Sequence, residues 1–436
     1  MLKIVRLWEC SQAEHEKLLR RSELDVSSAM PKATKIVADV RERGDDALLE
    51  YTRSLDGARL DRKQLRVSER EIDAAYKQVD AETVKAIKRA AAAIEKFHRR
   101  QLPREWSTEL QPGIMVGQLV RPLARVGIYI PGGSASYPSS ALMGAIPARI
   151  AGVGQIIACT PPKKDGGVNG VMLVAADVAG IDAVFKVGGA QAIAAMAYGT
   201  PTIPKVDKIV GPGNVYVVAA KQVVAPNVDV DFAAGPSEVL IIADASANSA
   251  YIAADMLAQA EHDPAAAAVL VTTSSELASE VCESLEKMLK ENPRVAIARR
   301  ALNKYGRVVL TANLEQAIEF ANDYAPEHLE LMVKRPTQVL KRVRNAGAIF
   351  IGPYSPVAAG DFAVGPNHIL PTGGVARRRS GLSVLDFVRL PTLQALTERG
   401  LKRVAATAER LAKAEGLPGH AQSIKKRLKE RSTTPL

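Results

Sequence analysis

The spacing of apolar side chains changes near residue 124, and the two parts of the chain predict different elements. Before this point, apolar residues such as Val37 and Val40 recur at helical spacing, which predicts amphipathic helices over residues 31–56 and 81–101. Beyond it, short β-branched runs alternate with alanine-rich helical stretches and with glycine and proline turns. The change indicates that a helical segment precedes an α/β body.

The α/β part divides into strands and helices along the chain. The predicted strands are Arg125–Ile130, Gln155–Cys159, Ala183–Val187, Lys208–Val210, Val239–Ile242, Ala268–Thr272, Val308–Thr311 and Ala348–Ile351. The helical patterns between them include Ala190–Tyr198, Asn214–Val224, Ala247–Gln259 and Leu277–Lys290. Such alternation predicts mainly parallel sheets with helices on both faces. Because the alternating part is longer than one ordinary sheet needs, we expect two α/β units.

The segment from Gly373 onward differs in pattern and in charge. It predicts two helices, over residues 391–414 and 419–430, separated by a break at Gly416–Gly419. Fourteen Lys and Arg against five Asp and Glu give this segment +9 of the net +11 of the whole chain. We therefore expect a basic helical tail that packs on a second subunit, and not a surface that binds nucleic acid.

The composition excludes several classes of protein. With 47 % hydrophobic and 24 % charged residues, the 436-residue chain can fill a sizeable core and is not disordered as a whole. Only 4 % of the residues are aromatic, which argues against a protein that stacks nucleic-acid bases on aromatic side chains. The N-terminus lacks a signal-peptide core, and no run reaches the roughly 18 apolar residues of a membrane span, so we expect a soluble, cytoplasmic protein.

The three cysteines, Cys10, Cys159 and Cys282, lack CxxC spacing. Their number and spacing exclude a disulfide scaffold and a four-cysteine zinc site, and they are typical of a reducing compartment. Cys159 ends an apolar run, so we expect it to be a buried structural thiol and not a nucleophile.

Three glycine clusters each lie between a predicted strand and a predicted helix: Pro131–Ser134, Val187–Gln191 and Val210–Asn214. Backbone N–H groups at such turns can bind a phosphate or a ribose hydroxyl. None of the clusters is GxGxxG, and any one of them could simply form a tight turn. Three in consecutive units favour a nucleotide that lies across the strand ends.

Four of the six histidines lie in segments that are punctuated by glycine and proline. His262 follows Gln259 by three residues on a predicted helix that ends before Pro264, so the two side chains share a face and could hold a divalent metal. A histidine near a helix C-terminus more often interacts with the helix dipole or caps the helix. The spacing alone leaves both roles open.

Glu327 and His328 are adjacent in the chain, and a carboxylate beside an imidazole can supply two proton-transfer groups. Neighbours on a strand point to opposite faces, so both can reach one ligand only where the backbone is irregular. The alternative is a solvated Glu-His pair.

Two further segments hold candidate ligands. The loop over residues 360–374 carries Asp361 and His368, and long ordered loops are often functional. The break between the tail helices carries Glu415 and His420, which could cap helices or reach a neighbouring site. Because neither HExxH nor CxxC occurs, any metal site must be assembled from distant segments.

Across about residues 30 to 430, the chain resembles the histidinol dehydrogenases, zinc- and NAD-dependent enzymes that complete histidine biosynthesis. The blocks that carry this resemblance are VGIYIPGG (126–133), KVGGAQAIAAMAYGT (186–200), KIVGPGNVYV (208–217), AGPSEVLI (234–241), LAQAEHDP (257–264), APEHLEL (325–331), GDFAVGPNHILPTGG (360–374) and AEGLPGH (414–420). So many blocks in order make the resemblance specific to this family.

The resemblance implies a fold of two incomplete Rossmann-like parallel-sheet domains with helical extensions at both termini, assembled as an intertwined homodimer. The expected parts are an N-terminal helical arm (1–30), a discontinuous first Rossmann-like domain (31–128 and 239–376), a second, NAD-binding one (129–238) and a helical tail that reaches the partner subunit (377–436).

The resemblance also implies roles for individual residues. The catalytic residues would be Glu327 and His328. One Zn²⁺ per subunit would be held by Gln259, His262, Asp361 and His420, the last of these contributed by the partner subunit. NAD would contact Tyr129, Gln191 and Asn214. The substrate would contact Ser237, Gln259, His262, His328, Asp361, Glu415 and His420, while His368 would line the pocket with no assigned step.

The implied reaction is the four-electron oxidation of L-histidinol to L-histidine through bound histidinaldehyde, with two NAD⁺. His328 would take the hydroxyl proton in both oxidations, and Glu327 would activate the water that hydrates the aldehyde. The chain departs from the family pattern at Val357, where a glutamate is common, and at the turn around Ser134, which lacks a basic residue. These departures leave open a dehydrogenase of the same fold for another small alcohol, such as a sulfonated diol.

Overall fold

The structure is a computed structural model that describes residues 2–21, 26–132, 137–231 and 235–429. The strands in these ranges are β1 (Ile4–Arg6), β2 (Trp106–Gln111), β3 (Ile114–Gln118), β4 (Arg121–Pro122), β5 (Arg125–Tyr129), β6 (Gln155–Cys159), β7 (Ala183–Phe185), β8 (Lys208–Val210), β9 (Asp229–Val230), β10 (Glu238–Ala243), β11 (Ala267–Thr272), β12 (Arg307–Leu310), β13 (His328–Met332), β14 (Ala348–Ile351), β15 (Val388–Arg389) and β16 (Thr392–Leu396). Each predicted strand is present, with ends that shift by at most two residues.

The helices separate the strands of the α/β part and flank it on either side. They are α1 (Gln12–Leu19), α2 (Met30–Arg43), α3 (Asp45–Tyr51), α4 (Glu69–Gln78), α5 (Ala81–His98), α6 (Pro138–Ala151), α7 (Gly170–Ala179), α8 (Gly189–Tyr198), α9 (Val215–Val224), α10 (Ser249–Ala260), α11 (Ser275–Glu291), α12 (Val295–Tyr305), α13 (Leu314–Tyr324), α14 (Pro336–Leu340), α15 (Val357–Ala359), α16 (Glu398–Ala414) and α17 (Pro418–Lys429). None of these helices is long and apolar enough to cross a membrane.

The chain forms two compact units. The larger comprises Met1–Gln101 and Leu123–Phe387, and the smaller comprises Leu102–Pro122 and Val388–Leu436. The larger unit holds a six-stranded sheet of order β1-β12-β11-β10-β13-β14 and a five-stranded sheet of order β7-β6-β5-β8-β9. All neighbouring strands in both sheets are parallel, which confirms the predicted α/β class with two parallel sheets.

Helices cover both faces of the six-stranded sheet. Alternate residues of β10 divide between two cores, with Val239 and Ile241 in one and Leu240 and Ile242 in the other. Every residue of β10 is buried, as expected for a central parallel strand whose side chains alternate between two covered faces. The five-stranded sheet shares a core with α2 and α3, which contribute residues such as Val37 and Leu48.

The predicted helix over 31–56 is divided at Gly44. This residue has φ +57°, a left-handed conformation that glycine adopts without strain, and it ends α2 immediately before α3 begins. A Cβ at this position would lie 3.3 Å from Pro201 Cδ, so the close approach also favours glycine.

The smaller unit combines antiparallel strands with a pair of helices. β16, β3 and β2 form a three-stranded antiparallel sheet, and β15 pairs with β4. The predicted helix over 391–414 is therefore wrong in its first part, because residues 392–396 pair with β3 and α16 begins only at Glu398. The side chain of Thr397 caps α16 by accepting a hydrogen bond from the Gly400 N–H, which fixes where this helix begins.

Candidate active site

A cavity of about 370 Å³, here called the first cavity, lies at the carboxyl end of α10 and the amino ends of β10 and β13. It gathers side chains that are far apart in the chain. The predicted site residues that line it are Ser237, Gln259, His262, Glu327, His328 and Asp361, together with His368. The first cavity thus brings together side chains from distant segments of the chain.

The backbone before β13 is irregular, as a shared site for Glu327 and His328 requires. α13 ends at Tyr324, and Ala325 adopts a left-handed conformation with φ +50° that non-glycine residues rarely take. Glu327 precedes the first strand residue, His328. Both side chains therefore line the first cavity and do not alternate across the sheet.

The hydrogen bonds of His328 define which ring nitrogen can accept a proton. Nδ1 lies 2.9 Å from the backbone carbonyl oxygen of Glu238, an acceptor only, so Nδ1 carries the hydrogen. Nε2 is buried and has no hydrogen-bond partner among the described residues. Burial lowers the pKa of His328, although the charge of Asp361 acts in the opposite direction. The ring is thus neutral, with its basic Nε2 free.

The carboxyl group of Glu327 is buried, and two hydrogen-bond donors lie close to it. Its Oε2 accepts a hydrogen bond from the Glu238 N–H at 2.8 Å, and its Oε1 lies 3.5 Å from the Ser237 hydroxyl. Burial raises the pKa of this carboxyl well above its usual range, and the nearby charge of Glu238 acts in the same direction. A carboxyl with a raised pKa can accept and release protons near neutral pH.

Three side chains at the first cavity have the chemistry of metal ligands. Gln259 lies in the last turn of α10, and His262 lies just beyond the helix end, where its N–H donates to the Gln259 carbonyl oxygen at 3.3 Å. His262 was predicted on the helix, which instead ends at Ala260. Asp361 comes from a π-helical turn, Gly360–Val364, and burial raises its pKa while His328 and His262 lower it.

These three side chains line one cavity, and Gln259, which would ligate a metal through its amide oxygen, is only 4 % exposed. An amide, an imidazole and a carboxylate form an oxygen- and nitrogen-donor set that suits zinc. Among the described residues, no three His, Cys, Asp or Glu side chains form a group that could hold a metal ion.

His368 lies beside this group. Its Nδ1 lies 3.2 Å from the backbone carbonyl oxygen of Asp361 and donates to it, and burial lowers the pKa of His368 to about 4. The ring is therefore neutral at physiological pH. It fixes the turn that carries Asp361.

The predicted NAD-contacting residues line a second cavity, also of about 370 Å³. Gln191 and Asn214 come from the glycine turns after β7 and β8, and Tyr129 is the last residue of β5, just before the first glycine turn; the three strands belong to one parallel sheet. The Tyr129 hydroxyl accepts a hydrogen bond from the Gly189 N–H at 3.1 Å, and Asn214 caps α9. Of the first turn, residues 133–136 lie outside the described part of the chain.

The lining of the second cavity includes a buried polar atom that could accept a hydrogen bond from a ligand. Gln191 is completely buried, and its amide oxygen has no hydrogen-bond partner among the described residues. Its amide nitrogen lies 3.5 Å from Oδ2 of Asp56, which also lines the cavity. Burial raises the pKa of Asp56 to about 6.

The structure does not bring every predicted residue to the first cavity. Glu415 and His420 belong to the smaller unit, where both are exposed, and the described residues that line the first cavity all come from the larger unit. Glu415 ends α16 and His420 lies in the first turn of α17.

Sequence reasoning missed three residues beside these cavities. Glu238 contacts both Glu327 and His328, Arg21 contacts Glu238, and Asp56 lies in the second cavity. Glu238 was visible as the acid at the start of the apolar run VLII, where an unpaired charge would be costly. Arg21 and Asp56 offered no local signal, because each meets its partners only through the tertiary fold. Cys159, predicted to be a structural thiol, is completely buried, and burial raises its pKa.

Comparison with known proteins gives a consistent result. A model of the family described as histidinol dehydrogenase matches residues 19–428. The chain is 51 % identical over 427 residues to a histidinol dehydrogenase of Methanothermobacter thermautotrophicus, covering 98 % of this chain and 100 % of that one. It is 50 % identical to one of Methanopyrus kandleri, covering 95 % and 98 %. The crystal structure of histidinol dehydrogenase from Elizabethkingia anophelis has a TM-score of 0.95 to this chain at 39 % identity and covers 98 % of each.

Proposed function

Because the chain belongs to the histidinol dehydrogenase family, we propose that its first cavity carries out the four-electron oxidation of L-histidinol to L-histidine, with two NAD⁺ per substrate. Oxidation of histidinol in histidine biosynthesis is the activity of this family, and the chain is an NAD-dependent oxidoreductase of that kind. One observation supports the proposed two-step oxidation most strongly. The Nε2 of His328 is buried and has no hydrogen-bond partner among the described residues, and His328 and Glu327 line the same cavity.

His328 is proposed as the base in both oxidations. Its Nδ1–H is held by the Glu238 carbonyl, so the neutral ring presents its Nε2 lone pair and takes the hydroxyl proton of the alcohol. The lowered pKa keeps the ring neutral before each step. NAD⁺, when bound, would accept the hydride from the carbon that carries this hydroxyl group.

Glu327 is proposed to activate water between the two oxidations. Its raised pKa makes it a stronger base than an exposed glutamate, so its ionised form can take a proton from water as the oxygen adds to the aldehyde carbon. The aldehyde oxygen takes the proton that His328 received in the first oxidation, so the product is an aldehyde hydrate, which is again an alcohol, and the His328 ring is neutral again. His328 can then take a proton from the hydrate as it did from histidinol.

Zinc would be held by Gln259, His262 and Asp361 together with His420 of the partner subunit. When bound, Zn²⁺ would supply a template for the neutral amine and imidazole of histidinol. Glu415 and His420 are exposed in the smaller unit, which supports a homodimer in which each site draws on both subunits. Glu415, also in the smaller unit, is proposed to contact the substrate, as is Ser237 in the larger one.

The second cavity is proposed as part of the NAD site, with Tyr129, Gln191 and Asn214 as contacts. The free amide oxygen of Gln191 and the glycine turns at the strand ends support this assignment. The NAD-binding domain is accordingly proposed to span residues 129–238. The N-terminal arm, the discontinuous first domain and the C-terminal tail are proposed with the bounds given above.

The lining of the first cavity favours histidinol over an anionic alcohol. Among the described residues that line it, there is no Lys or Arg to pair with a sulfonate, while Glu327 and Asp361 contribute acidic groups. A substrate without negative charge suits such a lining better than a sulfonated diol does.

The proposal is tested with the purified chain, NAD⁺, and either L-histidinol or a sulfonated diol. We expect NADH from histidinol only, loss of this activity on chelation of the metal, and recovery when Zn²⁺ is added back. NADH formation from the diol, with none from histidinol, would overturn the substrate assignment. Full activity in a chelated, metal-free sample would overturn the role of zinc.

A further inference from the structure

Glu238 contacts the two proposed catalytic residues through three separate groups. Its backbone N–H donates to Glu327 Oε2 at 2.8 Å, and its backbone carbonyl oxygen accepts from His328 Nδ1 at 2.9 Å. Its side-chain Oε1 accepts from the backbone N–H of Glu327 at 3.2 Å. Glu238 therefore fixes the side chains of both residues and the peptide group that carries them.

The Glu238 carboxylate is itself anchored by Arg21, which follows α1 and is more than 200 residues away in sequence. Arg21 Nη1 donates to Glu238 Oε1 at 2.7 Å, and Nη2 donates to the backbone carbonyl oxygen of Tyr324. The guanidinium also lies over the Tyr324 ring, 3.7 Å from its centroid. One planar side chain thus joins the start of β10 to the end of α13.

The turn that Arg21 and Glu238 enclose is strained. Ala325, between Tyr324 and the proposed catalytic residues, has φ +50°, a conformation that an L-residue keeps only where the surrounding structure enforces it. This turn is what lets Glu327 and His328 face the same cavity. A contact on each side of the turn, at Tyr324 and at Glu327, opposes its relaxation.

We propose that Arg21 and Glu238 are positioning residues that hold the strained turn and so place Glu327 and His328 for catalysis. The inference rests on the proposed function of those two residues. It adds that the segment after α1, which contributes no residue to the lining of the first cavity among the described residues, controls the turnover of the site.

The pair is also a buried ion pair, so its disruption affects stability. The side chains of Arg21 and Glu238 are 10 % and 1 % exposed, and removing Arg21 leaves an uncompensated buried carboxylate. A test must therefore separate lost positioning from lost stability. The double variant Arg21→Met/Glu238→Met does this, because an apolar pair of similar volume leaves no buried charge but restores neither hydrogen bond to the turn.

The experiment measures kcat, KM and the free energy of unfolding for Arg21→Lys, Arg21→Met and the double variant. We expect Arg21→Met to lower kcat by about ten- to a hundredfold with little change in KM for histidinol or NAD⁺, because misplacement of reacting groups affects the transition state most. Arg21→Lys should give an intermediate kcat, since one ammonium cannot reproduce both directed contacts. The double variant should recover stability but keep the low kcat.

A matched control is Lys208→Met, which breaks the ion pair of a buried lysine with Asp229 (2.9 Å) at the amino end of β8, away from the first cavity. It should lose stability with an unchanged kcat. A double variant of Arg21 and Glu238 with wild-type kcat would overturn the proposal, as would a kcat loss no larger than that of the control. A wild-type chain that does not oxidise histidinol would instead refute the proposed function itself.

Discussion

At the scale of single residues, the first cavity assigns different protonation behaviour to two adjacent side chains. Burial lowers the pKa of His328 and raises that of Glu327, because burial disfavours the charged form of each. The Glu238 carbonyl then fixes the tautomer of His328, leaving Nε2 free. Two neighbours in sequence thereby become a neutral imidazole with a free Nε2 and a carboxyl that holds its proton more tightly than an exposed glutamate does.

The proposed division of labour predicts distinct kinetic defects. In Glu327→Gln, oxidation of histidinol to the aldehyde should remain, while oxidation of added histidinaldehyde slows by about 10²–10⁴-fold because water is no longer activated. In His328→Asn, both oxidations should slow. Stopped-flow recording of NADH from each substrate makes the measurement. Equal losses of both steps in Glu327→Gln would contradict the assignment.

Asp56 predicts a pH dependence of stability. Its folded-state pKa of about 6 lies above its ordinary value of 3.8, so the folded state holds its proton more tightly. The preference of the folded state for protonated Asp56 therefore stabilises the protein fully below the ordinary pKa. This stabilisation is lost as the pH rises through about 6.

The measurement is the free energy of unfolding of the wild type and of Asp56→Asn from about pH 4 to 7. Relative to the variant, the wild type should lose about 1–2 kcal/mol over this range, since each pKa unit is worth about 1.4 kcal/mol and partial solvent access reduces the effect. A difference that does not vary with pH would show that Asp56 titrates normally.

The sequence indicated most candidate residues but not their connections. Gln259, His262, Glu327, His328 and Asp361 were predicted from residue type and from family resemblance, and the fold brings them to one cavity. Contacts such as that of Arg21 with Glu238 join distant segments, and no local pattern encodes such a pairing. The sequence also predicted that the Glu-His pair needed an irregular backbone, although Ala325 gave no sign of supplying it.

At the scale of elements, hydrophobic periodicity was informative where strands are buried on both faces. β10 and β11 are continuous apolar runs and were predicted with nearly correct ends. β1 and β13 were not predicted: the first is short, and the second carries His328 and Glu330 within its five residues. Residues 392–396 were predicted as helix, although their alternation of polar and apolar positions is that of an exposed strand.

The turn between α13 and β13 predicts how substitutions at Ala325 behave. Glycine should be tolerated, with a change in stability within about 1 kcal/mol, because it relieves the left-handed strain while increasing the entropy of the unfolded chain. Valine should destabilise the protein by more than about 2 kcal/mol and lower kcat, since a β-branched residue resists φ +50° and Ala325 is completely buried.

Chemical denaturation of both Ala325 variants, together with kcat for histidinol, makes this comparison. The glycine variant serves as the matched control at the same position. A valine variant as stable and as active as the glycine variant would show that the conformation of this turn has no energetic consequence.

At the scale of the whole molecule, the exposed apolar side chains of the smaller unit support the proposed homodimer. Leu411 on α16 is 57 % exposed and Leu417 is 40 % exposed in the single chain. Leu417 lies between Glu415 and His420, the two residues proposed to reach a neighbouring active site. In the proposed homodimer, the apolar side chains of the tail would contact the partner, and its excess of basic side chains would face solvent.

A shared site predicts complementation between inactive chains. A His420→Ala chain and a Glu327→Ala chain should each fail, as homodimers, to convert histidinol to histidine, and histidine formation is the activity measured. In the heterodimer, one site would combine an intact Glu327 with the intact His420 of the partner subunit, so about half of the wild-type activity should return. Purified heterodimers carrying two different affinity tags provide the test. Heterodimers without activity would contradict the proposal that the tail of each subunit reaches the active site of the other.

The yield of NADH per histidinol tests the central claim most directly. With L-histidinol limiting and NAD⁺ in excess, the purified chain is followed to completion while the products are separated and identified. The account predicts two NADH for each histidinol consumed, with L-histidine as the product. One NADH per histidinol, with the aldehyde accumulating, would identify a simple alcohol dehydrogenase and contradict the roles proposed for Glu327 and for the repeated use of His328.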